Sequence, residues 1–320
     1  MKAIARLFLV AISSSALALA GCTAENDPNA QETNTPSADA SAAAETVVNR
    51  DYDGPLPEVG GEFAKSVSVK PVSAQAPDTI VAKTVIQGDG EEVPSGAAVA
   101  IHYHGVLWDD GSIFDSTFER GGENPQPVVF ELGRLIEGWQ LGLAGQHVGD
   151  RVELVVPAKW GYGDHATEKI PANSTLVFVI DITGVMQTSD ISNLKGATPT
   201  NEALPDGVSI TGELGADPQL ELSDGYKAPE AIRVTVLSTG TGEKINEADY
   251  VAFHATLMET SSKSKRVTWE NGEPLVSPQP VGDTPGVVGQ TLGSRVMVET
   301  PVADGESQII IYDLISALRP

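Results

Sequence analysis

Cysteine is almost absent from this chain of 320 residues: Cys22 stands alone. An internal disulfide framework and any Cys-rich zinc or iron–sulfur centre are therefore excluded. Positive charge is also scarce, with 20 Lys and Arg against 44 Asp and Glu and a formal net charge of −24. Nucleic-acid partners need clustered Lys and Arg facing phosphates, so that class is excluded too. No apolar run reaches the ~20 residues of a membrane-spanning helix. Neither phosphate-cradling glycine pattern, GxGxxG or GxxxxGK[ST], occurs. Aromatic residues make up only 5%, which makes any cluster of them informative. What the chain does have is 32 glycines, 21 prolines and 41% hydrophobic residues. That is enough for globular cores, and the length fits about two domains.

The first residues follow a different pattern. Lys2 and Arg6 precede an apolar stretch, Leu7 to Ala20, broken only by Ser13, Ser14 and Ser15. A positive start followed by a short apolar segment reads as a secretory signal. It ends in Leu19-Ala20-Gly21-Cys22, which resembles the lipobox of bacterial lipoproteins. That resemblance implies cleavage after residue 21, a lipid on Cys22, and an extracytoplasmic protein of the bacterial envelope anchored to the membrane. Thr23 to Thr46 hold seven alanines and five acids with no basic or aromatic residue. Such a segment cannot bury enough apolar surface to offset chain entropy, so residues 22–50 read as a flexible acidic tether.

The rest of the chain repeats itself. Gly61-Glu62-Phe63 matches Gly212-Glu213-Leu214, and Val99-Ala100-Ile101-His102 matches Val251-Ala252-Phe253-His254. Gly145-Gln146 and Gly149 to Val152 match Gly289-Gln290 and Gly293 to Val296, and Asp181 matches Asp313. The shared order divides the chain into 51–186 and 205–320, joined by a polar stretch, 187–204. Within the first copy, Val99 to Leu107, Val128 to Leu132, Arg151 to Pro157 and Thr175 to Thr183 are short β-rich runs bounded by Gly or Pro. Leu135, Trp139 and Leu143 fall at i, i+4 and i+8 and predict a helix over Leu135 to His147. Strands wrapping one short amphipathic helix make an α+β arrangement.

The ordered motifs of the first copy carry a family resemblance. They are His102-Tyr103-His104-Gly105, Ile113-Phe114-Asp115-Ser116, Phe130-Glu131-Leu132-Gly133 and Leu135-Ile136-Glu137-Gly138-Trp139. Trp160-Gly161-Tyr162-Gly163, Ile170-Pro171 and Thr175-Leu176-Val177-Phe178 follow. Together these resemble the FKBP-type peptidyl-prolyl cis–trans isomerases over roughly residues 85–185. The implied fold class is α+β, with two FKBP-like domains, each a twisted antiparallel sheet curled around a short helix. The implied activity is isomerisation of X–Pro bonds, without a cofactor or metal, in unfolded or exported polypeptides that contain proline. Macrolide-type inhibitors are implied as ligands.

Transferred position by position, the resemblance makes Trp139 the floor under the proline ring. Tyr103, Phe114, Phe130, Ile136 and Phe178 become the walls, and Leu135 the rim. The Ile136 N–H and the Tyr162 hydroxyl would donate to substrate carbonyls, with Ile170 presented by the same loop as Tyr162. Asp115 would sit beside the rotating amide, bonded toward Tyr103 and close to Arg120. Val128 stands where many relatives carry another aromatic wall, and Trp160 replaces a more usual tyrosine. His102 and His104 alternate on one strand and face the same side, but no third ligand at metal-site spacing follows them.

The same transfer fails in the second copy. Ala255 replaces Tyr103, Phe114-Asp115 corresponds at best to Trp269-Glu270, and Asp283 stands where Trp139 should be. The stretch between Val296 and Gln308 is about half as long as that between Val152 and Leu176, which removes the loop of Tyr162 and Ile170. A folded but inactive second copy is expected. The rival reading of the whole chain is a chaperone that holds proline segments with little turnover.

Overall fold

The structure, a computed structural model, describes residues 47–122 and 125–319. The signal segment, Cys22 and the tether up to Thr46 lie outside the described residues. The first half contains strands β1 (Val48–Asn49), β2 (Glu58–Gly60), β3 (Ser68–Lys70), β4 (Ile80–Ile86), β5 (Ala98–Leu107) and β6 (Ile113–Ser116). Helix α1 (Thr117–Gly121), β7 (Val128–Glu131), helix α2 (Glu137–Leu143), β8 (Arg151–Val156) and β9 (Leu176–Met186) complete it. The seven-stranded sheet has the order β1-β4-β8-β9-β5-β6, with β7 also paired to β5.

Helix α2 is shorter than its apolar spacing predicts. A 3-10 turn over Leu132–Arg134 precedes it, Ile136 is non-helical with ψ 146°, and Gly145 (φ 79°) closes it. Gly138 and Gly142 face the sheet, where an added Cβ would come within 2.4 Å of Val156 and 2.3 Å of Leu154. The helix therefore lies closer to β8 than any side chain would permit. Trp139 and Leu143 enter one core with Ile101, Leu154, Leu176, Ile180 and Ile182.

The second half follows helix α3 (Ser192–Lys195) with β10 (Thr198–Pro199), β11 (Val208–Thr211), β12 (Gln219–Leu222), β13 (Arg233–Thr239) and β14 (Tyr250–Glu259). Then come β15 (Ser264–Val267), β16 (Leu275–Val276), β17 (Arg295–Pro301) and β18 (Ser307–Leu318). Its sheet order, β10-β13-β17-β18-β14-β15 with β16 paired to β14, repeats the first, except that the edge strand β10 runs antiparallel to β13 where β1 runs parallel to β4. The irregularities recur as well: β5 shifts register at Ala100/Ile101 against β9, and β14 shifts at Ala252/Phe253 against β18.

Both sheets carry a strap on the outer face. In the first half the β2–β3 hairpin and its flanks lay Leu56, Val69 and Val72 over Val81, Val106, Trp108, Val155 and Val177. Arg151, 1% exposed, pairs with Asp181 through Nε–Oδ1 (2.6 Å) and a terminal nitrogen to Oδ2 (2.7 Å). Its remaining N–H groups reach the carbonyls of Gly60, Gly61, Glu62 and Ser66, which fastens the strap. In the second half Arg295 pairs with Asp313 at 2.6 Å and donates to the Glu213 and Ala216 carbonyls in the turn between β11 and β12. Each cation thus has its lone-pair partners built in, as a buried charge requires.

Four expectations change here. Val48–Asn49 is a parallel edge strand on β4, and Arg50 donates to the Gly142 and Ala144 carbonyls, so the fold begins inside the stretch read as tether. The polar join 187–204 is structured too: Leu194 is buried, and β10 pairs with β13. Among the described residues the second sheet encloses no α-helix. Gly289 N–H bonds Ile245 as Gly145 bonds Val93, and Val281 bonds Asp249 as Leu132 bonds Ala97. The segment between those fixed points is shorter and holds only the 3-10 turn Val281–Asp283. Asp283 therefore takes the place of Arg134, and Trp139 has no counterpart. Trp269 does not match Phe114 either. Thr268 accepts from the Ala255 N–H (3.0 Å) as Thr117 accepts from Tyr103 (2.9 Å), which aligns Trp269 with Phe118. Pairing of Leu257 with Arg266, and of Gly105 with Asp115, sets Arg266 where Asp115 stands.

Candidate active site

The concave face of the first sheet and helix α2 enclose a cleft of about 430 Å³. Its lining includes Tyr103, Phe114, Asp115, Phe130, Leu135, Ile136, Trp139, Tyr162, Ile170 and Phe178, together with Thr167, Glu168 and Lys169. All the pocket residues named from the sequence meet here except Val128, which packs into the core beneath the wall without lining the cleft. Trp160 also packs on that core, under the ammonium of Lys159 at 3.6 Å, and does not line the cleft. Thr167, Glu168 and Lys169 were missed. The only sequence signal for them was their position between Tyr162 and Ile170.

The floor is fixed by aromatic packing. Trp139 stands edge-on to Tyr103 (5.6 Å), Phe130 (6.2 Å) and Phe178 (5.0 Å), with interplanar angles of 82°, 79° and 86°. Phe114 meets Phe178 in the same way at 5.4 Å. Edge-to-face contacts of this kind hold the rings in a defined arrangement. Gly105 makes room for the Phe114 ring, because a Cβ there would lie 2.5 Å from it. In the second half the equivalent strand residue is Leu257. The Trp139 indole N–H is buried without a partner among the described residues.

Asp115 is the polar centre of the wall. It accepts from the Tyr103 hydroxyl through one oxygen, and from Arg120 and its neighbour's N–H (Ser116, 2.9 Å) through the other. Arg120 also lies 5.6 Å from the centre of the Tyr103 ring. Burial, reinforced by the bond to Asp115 and opposed by Arg120, pushes the Tyr103 hydroxyl up to about 12. It therefore stays a donor throughout the physiological range.

The long loop after β8 covers one side. Gly163 N–H bonds Ala158, Asn173 bonds Gly163, and Thr167 bonds Ile170. Ile170 anchors the loop in the core at 6% exposure, whereas Tyr162 lines the cleft and remains 41% exposed. In the turn before α2, the Ile136 carbonyl accepts from Trp139 and Gln140, and no described group accepts from the Ile136 N–H. On the outer face, His104 bonds Ser116 at 3.1 Å and His102 packs on Phe118 at 5.3 Å.

An apolar box with a few fixed donors, and no activated nucleophile among its lining residues, fits a reaction in which a ring and its flanking amide are gripped without a covalent step. The comparisons with known proteins name that class. A profile of the FKBP-type peptidyl-prolyl cis-trans isomerase family matches residues 89–183. The chain is 37% identical over 115 residues to an FK506-binding protein of Streptomyces anulatus, covering 35% of this chain and 90% of that one. It is 39% identical over 107 residues to a probable FK506-binding protein of Corynebacterium glutamicum, covering 33% and 87%. A probable FKBP-type peptidyl-prolyl cis-trans isomerase of Haemophilus influenzae is 36% identical over 130 residues, covering 40% and 50%. The chain belongs to the FKBP-type peptidyl-prolyl cis–trans isomerase family, and its enzymatic class is that of the prolyl isomerases.

Proposed function

We propose that this chain accelerates X–Pro isomerisation in exported or envelope polypeptides from the cleft of its first half, while a lipid on Cys22 holds it at a membrane. The observation that carries the activity is the indole of Trp139 surrounded edge-on by three aromatic walls beside the Tyr103–Asp115 pair. The barrier to rotation, ~18–20 kcal/mol, comes from resonance in the C–N bond. A twisted amide has lost that resonance and its charge separation, so an apolar, water-poor cleft disfavours the planar forms relative to it. Complementarity to the twisted form lowers the barrier. In this reading Trp139 supports the proline ring between Phe130 and Phe178, and Tyr162 and the Ile136 N–H orient the flanking carbonyls. Asp115, fixed by Tyr103 and Arg120, lies beside the rotating amide. Uncatalysed isomerisation takes tens to hundreds of seconds, slow enough to delay the folding of a client.

The second half is read as an inactive copy of the same fold. Support comes from the missing helix, from Ala255 at the Tyr103 position and from Arg266 at the Asp115 position. A second reading, in which clients are held without turnover, is favoured by one observation. Where the helix is missing, Val234 is 39% exposed, while its counterpart Ala82 is 1% exposed.

The test is isomerisation of a short X–Pro peptide by the full chain. Turnover that Trp139→Ala sharply reduces, and that Asp283→Ala leaves unchanged, supports the pocket. No acceleration together with slowed aggregation of an unfolded client establishes holding instead. Release from the membrane fraction by Cys22→Ala tests the anchor.

A further inference from the structure

One row of residues crosses the concave face of the first sheet at the level of the pocket. Ala82 pairs with Leu154, Leu154 with Phe178, Phe178 with Gly105, and Gly105 with Asp115. Residues directly opposite on neighbouring strands share a face, and Phe178 and Asp115 of this row line the cleft. The second sheet has the same row. Val234 pairs with Val298, Val298 with Ile310, Ile310 with Leu257, and Leu257 with Arg266. It is apolar from β13 to β14 and ends in a cation on β15, where the pocket row ends in a carboxylate.

In the first half, helix α2 and the loop of Tyr162 close over the row. In the second, the segment that crosses there covers one end only. Gly286 lies on Val234 and Val298, where an added Cβ would come within 2.9 Å and 3.0 Å of them. Val298 is sealed at 3% exposure, but Val234 stays exposed, and Ile310 and Leu257 are only half-buried. Arg266 is exposed and has no ion-pair partner among the described residues. Its neighbour Lys265, on the opposite face, is held by Asp217 at 3.6 Å. Open apolar surface rimmed by a charge marks an interaction site. An unpaired cation at its edge complements a ligand that joins apolar side chains to a carboxylate.

We propose that this row is a second binding site, which takes an apolar, acid-bearing stretch of the substrate polypeptide with its carboxylate on Arg266. A polypeptide held there offers its X–Pro bonds to the first half at a raised effective concentration, so long substrates gain and short ones do not. The inference rests on the pocket reading above for the activity it serves, but the site itself needs no proline.

The probe is a short labelled peptide of leucine and phenylalanine with a central glutamate and no proline, beside a copy carrying lysine in place of the glutamate. Binding to the full chain is read by fluorescence anisotropy. Arg266→Glu should weaken binding of the glutamate peptide about fivefold and strengthen that of the lysine peptide. Leu257→Ala should weaken both. A saturating unlabelled X–Pro peptide should leave the probe bound, since it fills the other site. Joining the glutamate segment to that X–Pro peptide through a flexible Gly-Ser linker should raise its kcat/KM roughly fivefold, and Arg266→Glu should remove most of the gain. No binding of the probe overturns the site, as does equal preference of wild type and Arg266→Glu for the two peptides. Displacement of the probe by the X–Pro peptide overturns it too. Sedimentation as a dimer that Arg266→Glu takes apart assigns the face to a second copy of the chain, and so overturns it as a substrate site. A wild-type chain with no turnover of the bare X–Pro peptide refutes the pocket reading, whatever the anisotropy shows.

Discussion

Glu153 offers a sharp test of the energetics of this fold. It sits on β8 at 3% exposure, and its Oε1 has no hydrogen-bond partner among the described residues. Desolvation raises its pKa from 4.5 to about 7, opposed by Lys83 across the strand pair. The native state therefore keeps a proton that the unfolded chain has already given up. Stability falls as pH rises from about 4.5, and above about 7 the whole cost is in place. A shift of that size corresponds to roughly 3 kcal/mol as a ceiling. The second half shows the alternative, because Met297 occupies the equivalent place, fully buried. Glu153→Gln and Glu153→Met should each stabilise the protein by about 1–3 kcal/mol at pH 8 and by much less at pH 5. His102 and His104, whose pKa values burial lowers, act in the opposite sense as pH falls below 6.5. Their contribution cancels when variant and wild type are compared at one pH. Urea unfolding at pH 5, 6, 7 and 8 supplies the comparison. A stability difference that stays constant across that range would refute the argument, because it would mean that Glu153 does not titrate within it.

Three further outcomes are expected. Tyr103→Phe keeps the ring packed on Trp139 but removes the donor to Asp115, and should lower kcat/KM about fivefold in the peptide assay with little change in unfolding midpoint. Arg151→Met leaves the Asp181 carboxylate buried with the Ala64 N–H (2.7 Å) as its one remaining donor among the described residues. It should cost about 3–5 kcal/mol in urea unfolding. Replacing Asp181 by Asn in that variant should recover part of the loss, since the uncompensated charge is then gone.

The sequence disclosed the first half well, and the reason is local. Its strands are β-branched runs between glycines and prolines, and Trp139 and Leu143 keep helical spacing, so each element carries its own signal. Most pocket residues sit next to short motifs in a fixed order. The second half was misaligned because what sets its register is not local. Thr268 is tied to Thr117 by what its hydroxyl bonds, an N–H thirteen residues back along the chain. Without that contact Trp269 looked like a wall residue and Asp283 like a damaged floor. The straps were also hidden. Residues 51–79 show no alternation, and the repeated Gly61-Glu62 and Gly212-Glu213 carry no local signal of their role. The role depends on Arg151 and Arg295, each buried by segments that lie far away in sequence. Val128 stands where the resemblance puts another aromatic wall, but a side chain this short packs onto the core and does not reach the cleft.

The clasps also set a timetable. Arg151 reaches back 90 residues to the Gly61 carbonyl, and Arg295 reaches back 82 to Glu213. A chain made from its N-terminus therefore produces each strap long before the arginine that fastens it. Leu56, Val69 and Val72 emerge first and wait for β8 and β9, and Ile210 and Leu222 wait in turn for β17 and β18. Contacts this distant close slowly. Any pause in synthesis between a strap and its arginine leaves that apolar edge uncovered, once in each half.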